Sequence, residues 1–395
     1  TPLYDRFIAE RKTDPAKAAA TGKEFLSKCS AWAGQEEAIK YVTAQVPRLE
    51  KTAEEKRQKE TIYDPYYASI PAKDWAKAFS LGKTVVNLNP DDVDHALVLA
   101  QVGFDLSIAN PPVDTYNSDT INMAKLALQK IEQGKTSGSG EWGNFRGYTL
   151  KTAECADGKT NSTGWMNYII GNIMYSRMNQ KKEALPYLYK ATQVGCQTKD
   201  RIANVYRNIG NYYVDEFVRI EKEKNAAYDV VLKTDKAAPE FAAAEKTYLD
   251  LVALQKGYME RVMDAFARAY RAAVNAKEPA TFQNAQLNRA KEFYGFRFGK
   301  TPTVSFDSWL SGVNAKPFAD PTTAVTPIVE AEPTTAPTAM TAAADTSSSA
   351  NGETRPRTAA TNGKTAATTT AKPAATTKTP AKAPAKKPAP KKKGT

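Results

Sequence analysis

The chain has 395 residues, with 55 Lys and Arg against 43 Asp and Glu and a formal net charge of +12. Residues 331–395 hold eleven Lys and Arg against three acids, so the charge belongs mostly to that segment; the preceding residues are nearly balanced and give no reason to assign them to nucleic acid. No run of about 18 apolar residues occurs, so no membrane-spanning helix is expected.

Apolar residues recur at helical spacing from residue 2 to residue 299, and no alternating strand pattern appears. The periodicity predicts helices over 2–12, 14–28, 34–58, 73–87, 92–109, 118–133, 163–178, 180–195, 200–222, 238–275 and 280–297. Two of them open alike. Asp14-Pro15-Ala16-Lys17-Ala18 leads to Gly22-Lys23, and Asp74-Trp75-Ala76-Lys77-Ala78 leads to Gly82-Lys83. Each Asp suits a helix N-cap, where its carboxylate accepts an otherwise unpaired N–H. Ala18 and Gly22, like Ala78 and Gly82, lie four residues apart on one helical face and leave a groove for a neighbouring helix.

Between these helices the stretch 50–72 reads as an insert carrying Tyr63, Tyr66 and Tyr67. The tyrosines either fold back onto the body or form a partner or self-assembly contact. Next comes Asp91-Asp92-Val93-Asp94-His95, with the only histidine of the chain. Three carboxylates and an imidazole invite a calcium-like site, but after Asn89-Pro90 they stand where acids cap a helix start, and no metal is assigned. Gly138-Ser139-Gly140-Glu141-Trp142-Gly143 spells G-x-G-x-x-G, yet a helix rather than a strand precedes it, so no dinucleotide or other cofactor is expected. With one His and no Cys/His neighbourhood, nucleophilic catalysis has no candidate residues and the chain reads as non-enzymatic.

The long insert 134–162 includes Trp142, Phe145 and Tyr148, large amphipathic side chains that suit either burial against the body or a partner or assembly contact. If 163–178 and 180–195 form a hairpin, Cys196 returns to the level of Cys155, and a disulfide between them would place the protein in an oxidising compartment. Cys29 is then the odd thiol. Asn161-Ser162-Thr163 is a glycosylation sequon at Asn161. The first residue is Thr1, which fits a processed chain.

Several helices match the tetratricopeptide pattern. Tyr206-x2-Ile209-Gly210-x2-Tyr213 fits its first helix, and Leu99-Ala100 and Ile170-Gly171 supply its central pair. Ala78, Gly82, Val85 and Pro90 fit the second helix, as do Ala184, Leu188 and Ala191, then Ala124, Leu128 and Ile131, then Ala18, Gly22 and Phe25. The chain therefore resembles the tetratricopeptide-repeat family over residues 1–222, with about four degenerate repeats broken by inserts, at 50–72 and 134–162 among others. Glu292-Phe293-Tyr294-Gly295-Phe296-Arg297, with Ser311-Gly312-Val313 and Lys316-Pro317, is similar to the end of such proteins from environmental bacteria.

The resemblance implies an all-α, right-handed solenoid of helical hairpins, capped by long helices over 223–318. It also implies a groove holding a protein partner, with Asn172, Tyr206 and Asn211 as candidate groove positions. Residues 300–318 are expected to lie back on the body through Val304, Phe306, Trp309 and Leu310. Residues 319–395, rich in Ala, Thr, Pro and Lys, are expected as a disordered basic tail. The functional expectation is a bacterial, extracytoplasmic (periplasmic or secreted) protein–protein interaction scaffold. The alternatives are a self-assembling subunit of an extracellular filament or tube, with a glycosylated tail, and a tail-mediated binder of acidic polymers.

Overall fold

A computed structural model describes residues 1–135, 158–194, 201–299 and 301–330; Thr1–Ala331 form one compact unit. The fold is all-helical, with no strand among the described residues. Trp142, Phe145, Tyr148, Cys155, Cys196 and the G-x-G-x-x-G stretch lie outside the described residues, as does all of the chain after 330.

The helices are α1 (Pro2–Glu10), α2 (Pro15–Cys29), α3 (Glu36–Gln58), α4 (Asp64–Ser69), α5 (Trp75–Leu88), α6 (Asp94–Ser107) and α7 (Asn117–Glu132). They continue with α8 (Gly158–Ser176), α9 (Lys181–Thr192), α10 (Ile202–Lys233), α11 (Phe241–Asn275), α12 (Ala280–Phe298) and α13 (Phe306–Gly312). A π-helical turn, Lys59–Tyr63, joins α3 to α4. Within each run of described residues, consecutive helices pack against one another, with α3 and α4 meeting through the π turn between them. Alternate helices also touch, α6 against α8 and α8 against α10.

The twin openings act alike. Asp14 Oδ1 accepts from the Lys17 N–H at 3.1 Å, and Asp74 Oδ1 from the Lys77 N–H at 3.2 Å. Both glycines sit at close approaches. A Cβ at Gly22 would come within 2.5 Å of Val46 Cγ2 on α3, and one at Gly82 within 2.7 Å of Leu99 Cδ1 on α6. Gly22 belongs to a small separate core made by α1, α2 and α3 around Phe7, Phe25, Val42 and Val46. Gly82 belongs to the main core, which runs from α4 to the chain's last described segment.

Several expectations are revised. The stretch 50–72, expected as an insert, is largely helical: α3 runs on to Gln58, and the π turn and α4 follow it. Of the two readings given for the tyrosines, Tyr66 takes burial against the body, since it is fully buried. Tyr63 accepts from Asn89 Nδ2 at 2.9 Å, and Tyr67 packs beside His95 with ring centroids 6.1 Å apart. The helix expected to stop at 222 continues to Lys233, because α10 pairs along its length with α11, as where the Tyr228 and Tyr248 rings meet at 5.1 Å.

The tail does not begin at 319, since residues 319–330 continue as a strap that turns at 320–323 and then lies along α11 from Val325 to Glu330. Finally, Asn161 is 1 % exposed inside α8, which begins at Gly158, so the folded chain has no room for a glycan there. Phe306, Trp309 and Leu310 pack on the body as expected, whereas the Val304 side chain is exposed.

Candidate binding site beneath the carboxy-terminal strap

Gly257, Arg261, Asp264 and Arg268 follow one another at spacings of four, three and four residues, so they form one stripe along α11. A polar stripe on a buried helix needs partners, and the carboxy-terminal segment supplies most of them. Arg268, 8 % exposed, donates from Nε to Asp264 Oδ1 at 2.9 Å. Its Nη2 donates to the carbonyls of Val313 at 2.9 Å and Lys316 at 2.7 Å. One turn on, Arg271 donates from Nη2 to the Leu310 carbonyl at 2.6 Å. The two guanidinium groups thereby bond carbonyls at the end of α13 and in the turn that follows it.

Beyond α13 the chain makes a short 3-10 turn, Val313–Ala315, and then runs on without helix. Phe318 is buried, edge-on to Tyr206 of α10 at 5.0 Å, tilted against Tyr189 of α9 at 6.3 Å, and beneath the Arg268 guanidinium at 5.3 Å. This wedge combines aromatic and cation–π contacts. Farther along, Val325 and Thr326 pass directly over Gly257, where a Cβ would collide with the Thr326 carbonyl. The Ile328 N–H donates to the Ala253 carbonyl at 2.9 Å. Glu330 ends the strap between Lys256 at 2.8 Å and Arg297 at 2.6 Å. Its bonds to Lys256 first, then Arg297, hold the Glu330 carboxyl below the usual carboxylate range.

Between α11 and the strap lies a cleft of about 600 Å³. Arg261, Asp264, Arg268 and Lys316 give it charge, while Met263, Phe298, Trp309 and Val325 are among its apolar walls. Burial raises the Asp264 carboxyl above its ordinary range, opposed by Arg268. The Tyr213 hydroxyl is buried against the Arg261 guanidinium, and burial pushes its pKa up to about 12, opposed by Arg261. A second cleft, about 710 Å³ between α2 and α3, is ringed by ion pairs such as Lys23–Glu50 and Arg57–Glu54.

The residues expected to line a groove do not share one face. Tyr206 is covered by Phe318, whereas Asn211 is exposed. Five residues of helix turn the chain by about 140° from the first position, which separates them. Asn172, on α8, is half-buried and donates to the Tyr168 hydroxyl at 3.5 Å.

At the acidic turn, Lys130 performs the capping. It is buried, and its Nζ donates to the carbonyls of Asn89 at 2.8 Å, Asp92 at 2.9 Å and Val86 at 3.3 Å. Lys135 pairs with Asp91 at 2.5 Å, and Asp92 Oδ1 accepts from the Asp94 N–H at 3.0 Å. His95 is buried with Nε2 3.5 Å from Asp92 Oδ2, and its pKa is lowered because burial outweighs Asp92 and Asp94. Among the described residues no group of three or more His, Cys, Asp or Glu is placed to hold a metal ion. No described helix is long and apolar enough to cross a membrane.

No protein-family model, curated protein or solved structure matches this chain. What it does must therefore be argued from its own faces and clefts. The strap went unanticipated in the sequence because it has no period. Its only local signals are Phe318, Val325 and Ile328, spaced too widely for a helix, and a glycine in the middle of α11.

Proposed function

We propose that this chain is a non-enzymatic interaction scaffold: stacked helical hairpins of the tetratricopeptide type that hold an extended segment of a protein partner, in a bacterial extracytoplasmic setting. Hairpin stacking is supported by consecutive packing combined with contacts between alternate helices. Small residues at the helix crossings support it too, Gly210 against Phe266 and Gly171 against Leu188 repeating the geometry of Gly22 and Gly82.

The observation that carries the binding reading is the strap. A face built by α9, α10 and α11 accepts an extended chain through a buried aromatic wedge at Phe318, a backbone hydrogen bond at Ala253 and an ion-paired end at Glu330. These are the means by which helical scaffolds hold peptides. The in-cis strap is the example from which a partner's chemistry is read: extended, with an aromatic anchor and a downstream acid.

Self-assembly is the second reading. It rests on the distal end of the α10–α11 hairpin, where Val230, Leu232 and Leu249 are each more than half exposed. Light scattering over a concentration series separates the two. A mass near one chain throughout supports the scaffold, and growth into filaments supports assembly.

A further inference from the structure

We propose that the face followed by the strap continues past Glu330 over Leu249 of α11, and that it holds a segment of a protein partner in which an aliphatic residue closely follows an acid. The inference rests on the peptide-binding reading of the α9–α11 face and narrows the partner's chemistry. The strap runs toward the amino-terminal end of α11. Thr326 lies on Gly257, and the Ile328 N–H reaches the carbonyl of Ala253, four residues earlier in the helix. Two strap residues therefore span about one helical turn, as chain at roughly 3.3 Å per residue does beside helix at roughly 1.5 Å.

Leu249 is the next residue on that face: it stands four positions before Ala253 and seven before Lys256, which binds Glu330. Its side chain is 54 % exposed. Across the hairpin Tyr228 lies level with it, exposed, its ring 5.1 Å from that of Tyr248. Counting round the two antiparallel helices from the Tyr228–Tyr248 and Lys224–Gln255 contacts puts Tyr228 and Leu249 on one side of the hairpin. After Glu330 the chain has no Leu, Ile, Val, Phe, Tyr or Trp, so it brings no large apolar residue close behind its own acid. An apolar surface at the end of a peptide track, without a counterpart in the chain, fits a segment supplied by another protein. Lys256 and Arg297 take that segment's acid as they take Glu330, at 2.8 and 2.6 Å. Covering Leu249 then favours the partner's segment over the strap.

The test compares two labelled peptides spanning residues 314–334, one native and one carrying Ala331→Leu and Glu332→Leu together. Both are titrated by fluorescence anisotropy with the full chain bearing Phe318→Asp, which frees the strap's place. The substituted peptide should bind at least about fivefold more tightly than the native one. Leu249→Ser, at an exposed position, should cancel that gain and leave the native peptide's affinity unchanged. Should Phe318→Asp fail to fold, Glu330→Ala, which loosens only the end of the strap, takes its place with the same expectations. Equal affinity of the two peptides, or a gain that survives Leu249→Ser, overturns this inference and leaves the peptide-binding reading standing. Binding of neither peptide overturns both. A loss of self-association on Leu249→Ser, read by light scattering, with no change in peptide binding, assigns Leu249 to a contact between copies and overturns the inference too.

Discussion

Gly257 and Thr326 touch so closely that no side chain fits between them: a Cβ on Gly257 would overlap the Thr326 carbonyl and press on Val325 Cγ1 at 2.8 Å. Gly257 lies well inside a helix of 35 residues, where glycine is costly relative to alanine by roughly 0.5–1 kcal/mol. The close approach of the strap explains its presence. Replacing it by leucine should expel residues 319–330 and lower stability by about 1–3 kcal/mol. Limited proteolysis within 319–330, compared with the native chain, checks the first effect, and thermal unfolding the second. An unchanged cleavage pattern would mean that the strap is held without this contact.

The N-terminal helices should unfold on their own. Phe7, Phe25, Val42 and Val46 form a core separate from the main one, and Gly22 sits in it against Val46. Gly22→Leu should therefore speed amide exchange over residues 1–50 and leave α6 to α12 protected. Equal acceleration throughout would show one cooperative unit instead.

Lys130 is worth more as a cap than as a charge. Its ammonium donates to three carbonyls in the last turn of α5 and just beyond it, and burial lowers its pKa despite the pull of Asp92 and Asp91. Lys130→Met keeps the apolar stem and removes the donors. The expected loss is about 1–3 kcal/mol from the carbonyls left unpaired, read by denaturant unfolding. Unchanged stability would mean that those carbonyls find other donors.

His95 gives a clean pH prediction because the chain has one histidine. Its folded pKa is lowered, chiefly by burial, so the native state resists protonation more than the unfolded chain does. Stability is therefore fully present above the unfolded value of about 6.5 and falls as pH drops from there through the folded pKa. The single imidazole resonance should titrate below 6.5, and His95→Gln should lack this part of the acid-induced loss. A resonance titrating above 6.5 would mean that Asp92 and Asp94 outweigh burial.

What was legible in the sequence was whatever is local and periodic. Asp14 and Asp74 announce helix starts because a cap is decided within three residues, and Gly22 and Gly82 announce crossings because they share a face with Ala18 and Ala78. The helix expected over 200–222 does not end there, since α10 runs on to Lys233. Its partner is α11, where Gln255 accepts from Lys224 Nζ at 2.9 Å, and such pairing across distant segments leaves no local mark. The same holds for the site. Arg261, Asp264 and Arg268 share one face of α11, and nothing in their spacing marks the strap segment that lines the cleft with them. Tyr206, by contrast, was singled out from the repeat pattern and stands under Phe318, while Asn211 does not share its face.

The central claim is that the face of α9, α10 and α11 holds an extended protein segment, with the strap as its in-cis occupant. The most direct measurement is fluorescence anisotropy of a labelled peptide spanning residues 314–330, titrated with the native chain and with Phe318→Asp. The substitution should release the strap, so the variant should bind the peptide saturably and at least about tenfold more tightly than the native chain, whose tethered strap competes at high effective concentration. A peptide carrying Asp in place of Phe318 should not bind. If neither chain binds the native peptide, or if both bind it and the altered peptide equally, the face is not a peptide-binding surface and the account fails.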